Sequence, residues 1–263
     1  LRAGRPMAVV CPTGEQPLPG GEPVRPADLE LVVEIATRAS AHTAMERMRS
    51  GFFTVPGGHR IGICGSAVVK EGAVFNLRQL SSLAIRIARQ VPGAAAAVVD
   101  RLWEGEHFQS TLILSPPGGG KTTLLRDLIR RLSDGEGHPP LRVGVADERG
   151  ELAAMYNGLP QFDVGRRTDV MDGCPKAEGL MMLLRGMNPQ VLAADEITAP
   201  QDCAALLLAA NCGVRLLCTA HAADLEDLKT RPLYRPLLEN RCFQKLAVLT
   251  RRSEGRFCQV YDL

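Results

Sequence analysis

The chain has 263 residues, enough for one enzyme-sized core and a smaller second domain. Hydrophobic residues make up 45% and charged residues 23%, as in ordinary globular proteins, and no apolar run approaches the roughly 20 residues that span a bilayer. The net charge of +2 argues against a surface built for nucleic acid. The eight cysteines form no C-x-x-C pair, so neither a thiolate metal site nor a disulfide framework is predicted. We therefore expect a cytosolic protein without membrane insertion.

The first part of the chain, residues 1–103, predicts a small α+β domain. Its predicted elements are an edge strand at 7–11, helices at 28–39 and 41–49, a hairpin at 51–65, a strand pair at 68–75, a strand in the second half of 76–90 and a helix at 94–103. Leu80, Leu83 and Ile87 also fit a helix, so that strand has an alternative. His59 and Arg60 follow the hairpin turn, where a subunit or phosphate contact and a solvated turn are equally compatible with their residue types.

The strongest functional pattern is STLILSPPGGGKTT at residues 110–123. A β-rich run enters a Pro/Gly turn, and a helix with an apolar face leaves the turn at Lys121. This strand, glycine turn and helix form the context that a phosphate-binding P-loop requires. Backbone amides and the helix N-terminus hold polyphosphate there, while Lys121 is expected to reach the β- and γ-phosphates and Thr122 to ligate Mg²⁺.

One position departs from the usual P-loop pattern. Ser115 stands where the first glycine normally lies, although the three consecutive glycines at 118–120 keep the turn flexible. A glycine-rich turn that merely happens to precede Lys-Thr is the alternative, and the surrounding strand and helix argue against it. The predicted nucleotide-binding residues are Ser115, Pro116, Pro117, Gly118, Gly119, Gly120, Lys121, Thr122 and Thr123.

Two later apolar runs end in paired carboxylates. Residues 141–148 end in Asp147-Glu148, and residues 190–196 end in Asp195-Glu196, the Walker B pattern. Asp195 is predicted to serve Mg²⁺ with Thr122, and Glu196 to polarise the attacking water. Ligands bind at the carboxyl ends of the strands in α/β folds, where these carboxylates lie. This position argues against the alternative that they merely cap strand ends in a fold without a ligand site.

A histidine and several arginines complete the set of candidates. His221 lies just after the next predicted strand, residues 214–219. There it could sense the γ-phosphate or serve only a structural role. The segment 150–172 lacks clear periodicity and is predicted to be a functional loop rather than a packed element. Arg149, Arg166 and Arg167 are candidates for an arginine finger or for pairing between subunits, with solvated loop arginines as the alternative.

Helices at 177–187 and 200–211 and a terminal hairpin at 244–250 and 256–261 complete the predicted core, residues 104–263. Strands alternate with helices, which predicts a mainly parallel sheet. We therefore expect an α/β P-loop NTPase core of the RecA-like (ASCE) class after the small α+β domain.

Seven stretches in chain order carry a family resemblance: GFFTVPGGHRIGICG, SSLAIRIAR, LSPPGGGKTTLLRDLIR, VGVADERGELA, FDVGRRTDVMDGCPKAEG, PQVLAADEI and LLCTAHA. They resemble the stage III sporulation protein AA family, ATPases of endospore-forming bacteria that are similar to the motor ATPases of type II and type IV secretion systems. The resemblance makes 115–123 the Walker A loop and 191–196 Walker B. It likens Asp147-Glu148 to the acidic box of those motors and Thr219-Ala220-His221 to their histidine box.

The resemblance also implies partners and a place in the cell. It implies a homo-oligomeric ring, a hexamer in that family, on the mother-cell cytoplasmic side of a membrane channel to the forespore. Attachment would come through membrane proteins of the channel complex. The opening LRAGRPMAVV resembles an internal stretch of the family, and the chain starts at Leu1, so we expect a missing N-terminal segment.

The predicted reaction is ATP hydrolysis with Mg²⁺. The predicted catalytic residues are Glu196, Lys121, Glu148, His221 and Arg167. Two other classes of function remain open: a nucleic-acid-dependent P-loop ATPase, and a nucleotide-binding scaffold with little turnover. No nucleic-acid partner is expected, because the chain lacks a basic, aromatic-studded set of strands.

Overall fold

The computed structural model describes residues 1–11, 13–37, 51–252 and 255–263. The chain divides into two compact units, Leu1–Arg89 and Gln90–Leu263. The boundary lies before the predicted residue 103, because five apolar residues of the stretch 94–103 are buried in the core of the second unit: Ala95, Val98, Val99, Leu102 and Trp103. Among the described helices, none has the length and apolar character needed to cross a bilayer.

The first unit is a small α+β domain. Its elements are β1 (Ala8–Cys11), β2 (Gly14–Pro17), α1 (Pro26–Thr37), β3 (Phe52–Val55), β4 (His59–Lys70) and β5 (Ala73–Arg86). Strands β1 and β2 pair antiparallel, and β3, β4 and β5 form an antiparallel sheet in that order. Leu29 and Val33 of α1 share a core with Phe53, Ile61 and Leu83 of the sheet.

This unit confirms the predicted edge strand, first helix, hairpin, strand pair and the strand in 76–90. The helix predicted at 41–49 lies outside the described residues. His59 accepts a hydrogen bond from the backbone of Ala88, and the Arg60 guanidinium lies over the ring of Phe52. His59 is therefore bonded to the segment that follows β5, and Arg60 packs within the hairpin.

The second unit is built on one seven-stranded sheet. The sheet contains β8 (Thr111–Leu114), β9 (Val143–Asp147), β10 (Thr168–Asp172), β11 (Val191–Ala194), β12 (Arg215–Ala220), β13 (Lys245–Arg252) and β14 (Gly255–Asp262). Before it in the chain, β6 (Trp103–Glu104) and β7 (His107–Phe108) form a separate hairpin. The helices of this unit are α2 (Lys121–Asp134), α3 (Lys176–Gly186), α4 (Pro200–Asn211), α5 (Leu225–Thr230) and α6 (Arg235–Glu239).

The large sheet has the order β10-β9-β11-β12-β8-β13-β14, and only the last pair is antiparallel. Strand β12 lies between the P-loop strand β8 and the Walker B strand β11. The sheet is thus mainly parallel with one inserted strand, which confirms the predicted α/β P-loop architecture of the ASCE class. Parallel strands place their carboxyl ends at one edge, so the loops after β8, β9, β11 and β12 converge there.

Both faces of this sheet are buried. Side chains alternate between the two faces, so Leu112 and Leu114 join one core and Ile113 joins the other. The first core packs against α3, α4, α5 and α6, whereas the second packs against α2 and residues 95–103. Fully buried parallel strands read as continuous apolar runs, which is why their sequence signal is strong.

Two predictions for this unit are wrong in part. Residues 94–103 form successive turns and a short 3-10 helix, Val99–Leu102, instead of an α-helix. Most of their backbone hydrogen bonds span three residues, as from Ala96 N to Gly93 O and from Val98 N to Ala95 O, and Ala95 N–H is held by the Asp127 carboxylate over 2.8 Å.

The segment 150–172 is packed rather than a free loop. It ends in β10, an edge strand that pairs parallel with β9, and Leu152, Ala153 and Val164 are buried. The Arg126 guanidinium lies 4.1 Å from the Phe162 ring centroid and donates through Nε to Leu152 O over 2.8 Å. An irregular path leaves no periodicity for sequence analysis to detect, although tertiary contacts hold it.

Candidate active site

The loop between β8 and α2 has the backbone geometry that a phosphate-binding loop requires. Gly118 and Gly120 have φ angles of 75° and 103°, in a region that residues with side chains rarely adopt. A Cβ at Gly119 would lie 1.6 Å from Oγ of Ser115. The unusual Ser115 is accommodated because Gly119 has no side chain. The nine predicted loop residues, 115–123, thus lie together at the end of β8 and the first turn of α2.

Lys121 is buried at the start of α2, with 5% of its surface exposed. Its Nζ lies 3.0 Å from Ser115 O, 3.4 Å from Pro116 O and 3.0 Å from Nδ1 of His221. Burial lowers the pKa of Lys121, and the carboxylates of Asp195 and Glu196 partly oppose this shift. A poorly hydrated ammonium at the helix N-terminus is suited to binding phosphate oxygens.

Thr122 and Asp195 bring oxygen atoms together beside the loop. Oγ1 of Thr122 donates to Oδ2 of Asp195 over 2.6 Å, and Oγ1 of Thr219 donates to Oδ1 of the same carboxylate over 2.5 Å. Mg²⁺ prefers oxygen ligands and is usually bound by one or two protein groups together with substrate phosphates. The donor set at Thr122 and Asp195 therefore fits the predicted magnesium site.

Glu196 follows β11 with a φ angle of 52°, a left-handed conformation that is uncommon for a residue with a side chain. Its N–H donates to Oγ1 of Thr219 over 2.8 Å. Its carboxylate contacts Nε2 of His221 at 3.0 Å and Nη1 of Arg149 at 2.8 Å. Such conformations persist where the surrounding bonds over-determine them, and they cluster at functional sites. The Glu196 carboxylate is therefore held in a defined direction.

His221 bridges the P-loop and Walker B. Both ring nitrogens are engaged, Nδ1 with Lys121 and Nε2 with Glu196, each at 3.0 Å. A lysine ammonium only donates hydrogen bonds, so Nδ1 is the acceptor and Nε2–H donates to the Glu196 carboxylate. The histidine that follows β12 thus connects the lysine predicted to bind phosphate to the carboxylate predicted to orient water.

The two carboxylates that end β9 have different environments. Asp147 is 3% exposed and accepts backbone N–H bonds from Glu151, Leu152 and Ala153 at 2.9–3.0 Å. Burial raises the pKa of Asp147, and these three hydrogen bonds partly oppose the shift. Glu148 keeps 44% of its side chain exposed and shares a pocket with Asp195 and Glu196. Asp147 therefore shapes the following turn, whereas Glu148 is available to a ligand.

The three candidate arginines are in different places. Arg149 contacts the Glu196 carboxylate, as described above. Arg167 lies before β10, and its Nη1 donates to Ser133 O over 3.3 Å near the C-terminal end of α2. The phosphate loop is at the opposite end of this helix, about 20 Å away at 1.5 Å per residue. Arg166 lies beside Arg167, with its Nε 4.0 Å from Asp134. Neither Arg166 nor Arg167 reaches the candidate nucleotide site of its own chain.

Sequence analysis missed Lys176, the first residue of α3. Its buried Nζ donates to the backbone carbonyl of Glu196 over 2.7 Å, and it forms ion pairs with Glu148 at 3.4 Å and Asp202 at 3.6 Å. A single lysine before a helical run has no distinctive spacing. The only signal in the sequence is its position at the helix start, where a positive charge opposes the helix dipole.

Comparison with known proteins identifies the family. The family model described as "Sporulation stage III, protein AA" matches residues 1–263. The chain belongs to this family. It is 41% identical over 237 residues to stage III sporulation protein AA of Bacillus subtilis (strain 168), covering 89% of this chain and 77% of that protein. This confirms the resemblance seen in the sequence motifs.

Solved structures confirm the fold of this family member. The pilus retraction motor PilT with bound ADP matches with a TM-score of 0.65 at 15% identity, covering 100% of this chain and 77% of that chain. The Legionella pneumophila ATPase DotB matches with a TM-score of 0.62 at 16% identity, covering 99% and 74%. At these identities the likeness shows a shared P-loop ATPase fold. The chain is therefore a stage III sporulation protein with the fold shared by the pilus retraction motor PilT and the ATPase DotB.

Proposed function

We propose that this family member hydrolyses ATP to ADP and phosphate with Mg²⁺. The observation that carries the proposal is the continuous network from Lys121 through His221 to Glu196, beside the Thr122–Asp195 pair. It joins phosphate binding, magnesium ligation and water activation at one edge of the sheet. The ADP in the PilT structure and the ATPase activity in the name of DotB support this choice of substrate.

Each residue has a role that follows from its position. The amides of 118–120 and Lys121 bind phosphate, and Thr122 and Asp195 hold Mg²⁺, which neutralises charge on the β- and γ-phosphates when bound. Glu196 orients the attacking water, and His221 holds the Glu196 carboxylate at a fixed position relative to Lys121. Glu148 faces the same pocket as a second carboxylate.

The biological role proposed here is that of a motor. Subunits would assemble into a homo-oligomeric ring, with a hexamer as the proposed size, at the cytoplasmic mother-cell side of a channel to the forespore. ATP hydrolysis would move one subunit against the next and energise the channel through membrane partner proteins. Membership of a sporulation family and the motor fold support this role together.

The first experiment measures ATP turnover with Mg²⁺ over a series of protein concentrations, with molar mass from light scattering. Specific activity that rises as a larger assembly forms supports the motor. Glu196→Gln should retain nucleotide binding but lose roughly 100-fold or more in turnover. Glu226→Gln, at an exposed glutamate paired with Lys229, is the matched control. Tight binding by a monomer with no turnover at any concentration would instead indicate a scaffold.

Arg167 requires a separate test, because it can act only on a neighbouring subunit's nucleotide. Arg167→Ala should leave nucleotide binding by isolated subunits unchanged and lower turnover in the assembled ring. Unchanged turnover in the ring would remove Arg167 from the site.

The alternative of a nucleic-acid-dependent ATPase is tested by adding DNA or RNA to the turnover assay. Stimulation of turnover that falls with increasing salt concentration would favour this alternative.

A further inference from the structure

Lys176 is a buried cation whose surroundings are not explained by packing alone. Only 5% of its surface is exposed, although it is the first residue of α3. A positive charge in the first turn of a helix opposes the helix dipole, so local helix stability does not explain this lysine. Buried charges need specific partners, and those of Lys176 come from three different elements.

The three partners converge on Walker B. Nζ of Lys176 donates to the Glu196 carbonyl over 2.7 Å and lies 3.4 Å from Oε2 of Glu148 and 3.6 Å from Oδ2 of Asp202. The same Oδ2 of Asp202 accepts backbone N–H bonds from Thr198 and Ala199, each at 3.1 Å. Lys176 and Asp202 together therefore hold the short segment that follows Glu196.

The backbone of Glu196 is anchored on both sides. Its N–H is bonded to Thr219 and its carbonyl to Lys176, while its φ angle is 52°. Without the Lys176 bond, the carbonyl would lose the contact that offsets this uncommon conformation. A relaxed backbone would turn the Glu196 carboxylate away from His221. The same ammonium also holds Glu148, the other carboxylate facing the pocket.

We propose that Lys176 is a positioning residue for the hydrolysis reaction: it fixes the backbone of Glu196 and links Glu148 to it, so that both carboxylates keep one geometry at the bound nucleotide. This inference rests on the proposed ATPase function. A merely structural role is the competing explanation, in which Lys176 only neutralises the buried Asp202.

The test compares Lys176→Met, Lys176→Arg and the double variant Lys176→Met/Asp202→Asn, with Lys229→Met at an exposed lysine as the control. The measurements are kcat and KM for ATP, the dissociation constant of a fluorescent ADP analogue, and Tm. In Lys176→Met, kcat should fall roughly 100-fold, the scale of a small misplacement of a reacting group, with ADP affinity little changed. Lys176→Arg should recover part of the activity.

The double variant separates the two roles, because it removes the lysine without leaving Asp202 as an unpaired buried charge. Recovery of Tm without recovery of kcat supports the inference. Recovery of both, or wild-type kcat in Lys176→Met, overturns it while the ATPase proposal stands. Absence of turnover in the assembled wild-type protein overturns the ATPase proposal, and this inference with it.

Discussion

Nε2 of His221 lies 3.0 Å from Oε1 of Glu196, and the other ring nitrogen of the histidine contacts Lys121. The residue at the end of β12 therefore sets the direction of the carboxylate at the end of β11. Neighbouring parallel strands bring these side chains together across 25 residues of sequence.

His221→Phe should lower turnover roughly 10- to 100-fold, the equivalent of one hydrogen bond to a charged group. The ring is kept, but neither of its hydrogen bonds can form, so Glu196 loses its link to the P-loop. ADP affinity should change much less. The matched control is His107→Phe, at an exposed histidine in β7. Wild-type kcat in His221→Phe would contradict a positioning role.

Gly119→Ala should abolish nucleotide binding. The new Cβ would lie 1.6 Å from Oγ and 2.8 Å from Cβ of Ser115, so the loop cannot keep its shape. The double variant Ser115→Gly/Gly119→Ala removes both clashing atoms and should restore ADP binding in a fluorescence titration. Gly186→Ala, where no atom lies within 4 Å of the added Cβ, is the control. ADP binding by the single variant Gly119→Ala would contradict this prediction, because it would show that the loop accommodates the added methyl group.

Substitutions of Asp147, the last residue of β9, and of Glu148, which follows it, should separate an effect on stability from an effect on catalysis. Asp147→Asn places an amide donor among three backbone N–H groups and should destabilise the protein by about 1–3 kcal/mol, seen as a lower Tm. Glu148→Gln removes a half-exposed charge beside Lys176 and should lower kcat with little change in Tm. A lower kcat with unchanged Tm in Asp147→Asn, together with a lower Tm with unchanged kcat in Glu148→Gln, would contradict these assignments.

Asp127 should make the free energy of unfolding of the second unit depend on pH in the acidic range. Burial tends to raise the pKa of its carboxyl, but hydrogen bonds from Ala95 N–H and Arg130 outweigh burial and hold the pKa below the ordinary 3.8. A depressed carboxyl pKa stabilises the fold above that ordinary value, and this contribution is lost as the pH falls through the folded-state pKa. Asp127→Asn should therefore be destabilised near neutral pH and approach the wild type in acid.

The expected loss at neutral pH is about 2 kcal/mol, the scale of hydrogen bonds to a charged group. The free energy of unfolding is measured by urea unfolding followed by the fluorescence of Trp103. Trp103 is the single tryptophan and lies in the core that contacts α2, the helix carrying Asp127. Asp169→Asn is the control. A difference between wild type and Asp127→Asn that stays constant from neutral pH to below the ordinary carboxyl value would contradict the assignment.

Much of the site can be predicted from sequence because it is locally encoded. Apolar strands, the glycine turn at 118–120 and the carboxylates that end two strands each occupy one short stretch. Buried parallel strands have continuous apolar runs and helices have periodic faces, so the elements carrying Lys121, Asp195 and Glu196 are recognisable without neighbours.

The sequence by itself determined the P-loop class, the alternation of strands and helices, and the chemistry at the strand ends. Only the tertiary structure decided which of these residues touch: His221 with both Lys121 and Glu196, and Lys176 with Glu148 and Glu196. It also placed Arg167 at the far end of α2 and residues 94–103 in the second unit. Local periodicity encodes each element, whereas these contacts depend on strand order and on packing between segments distant in the chain.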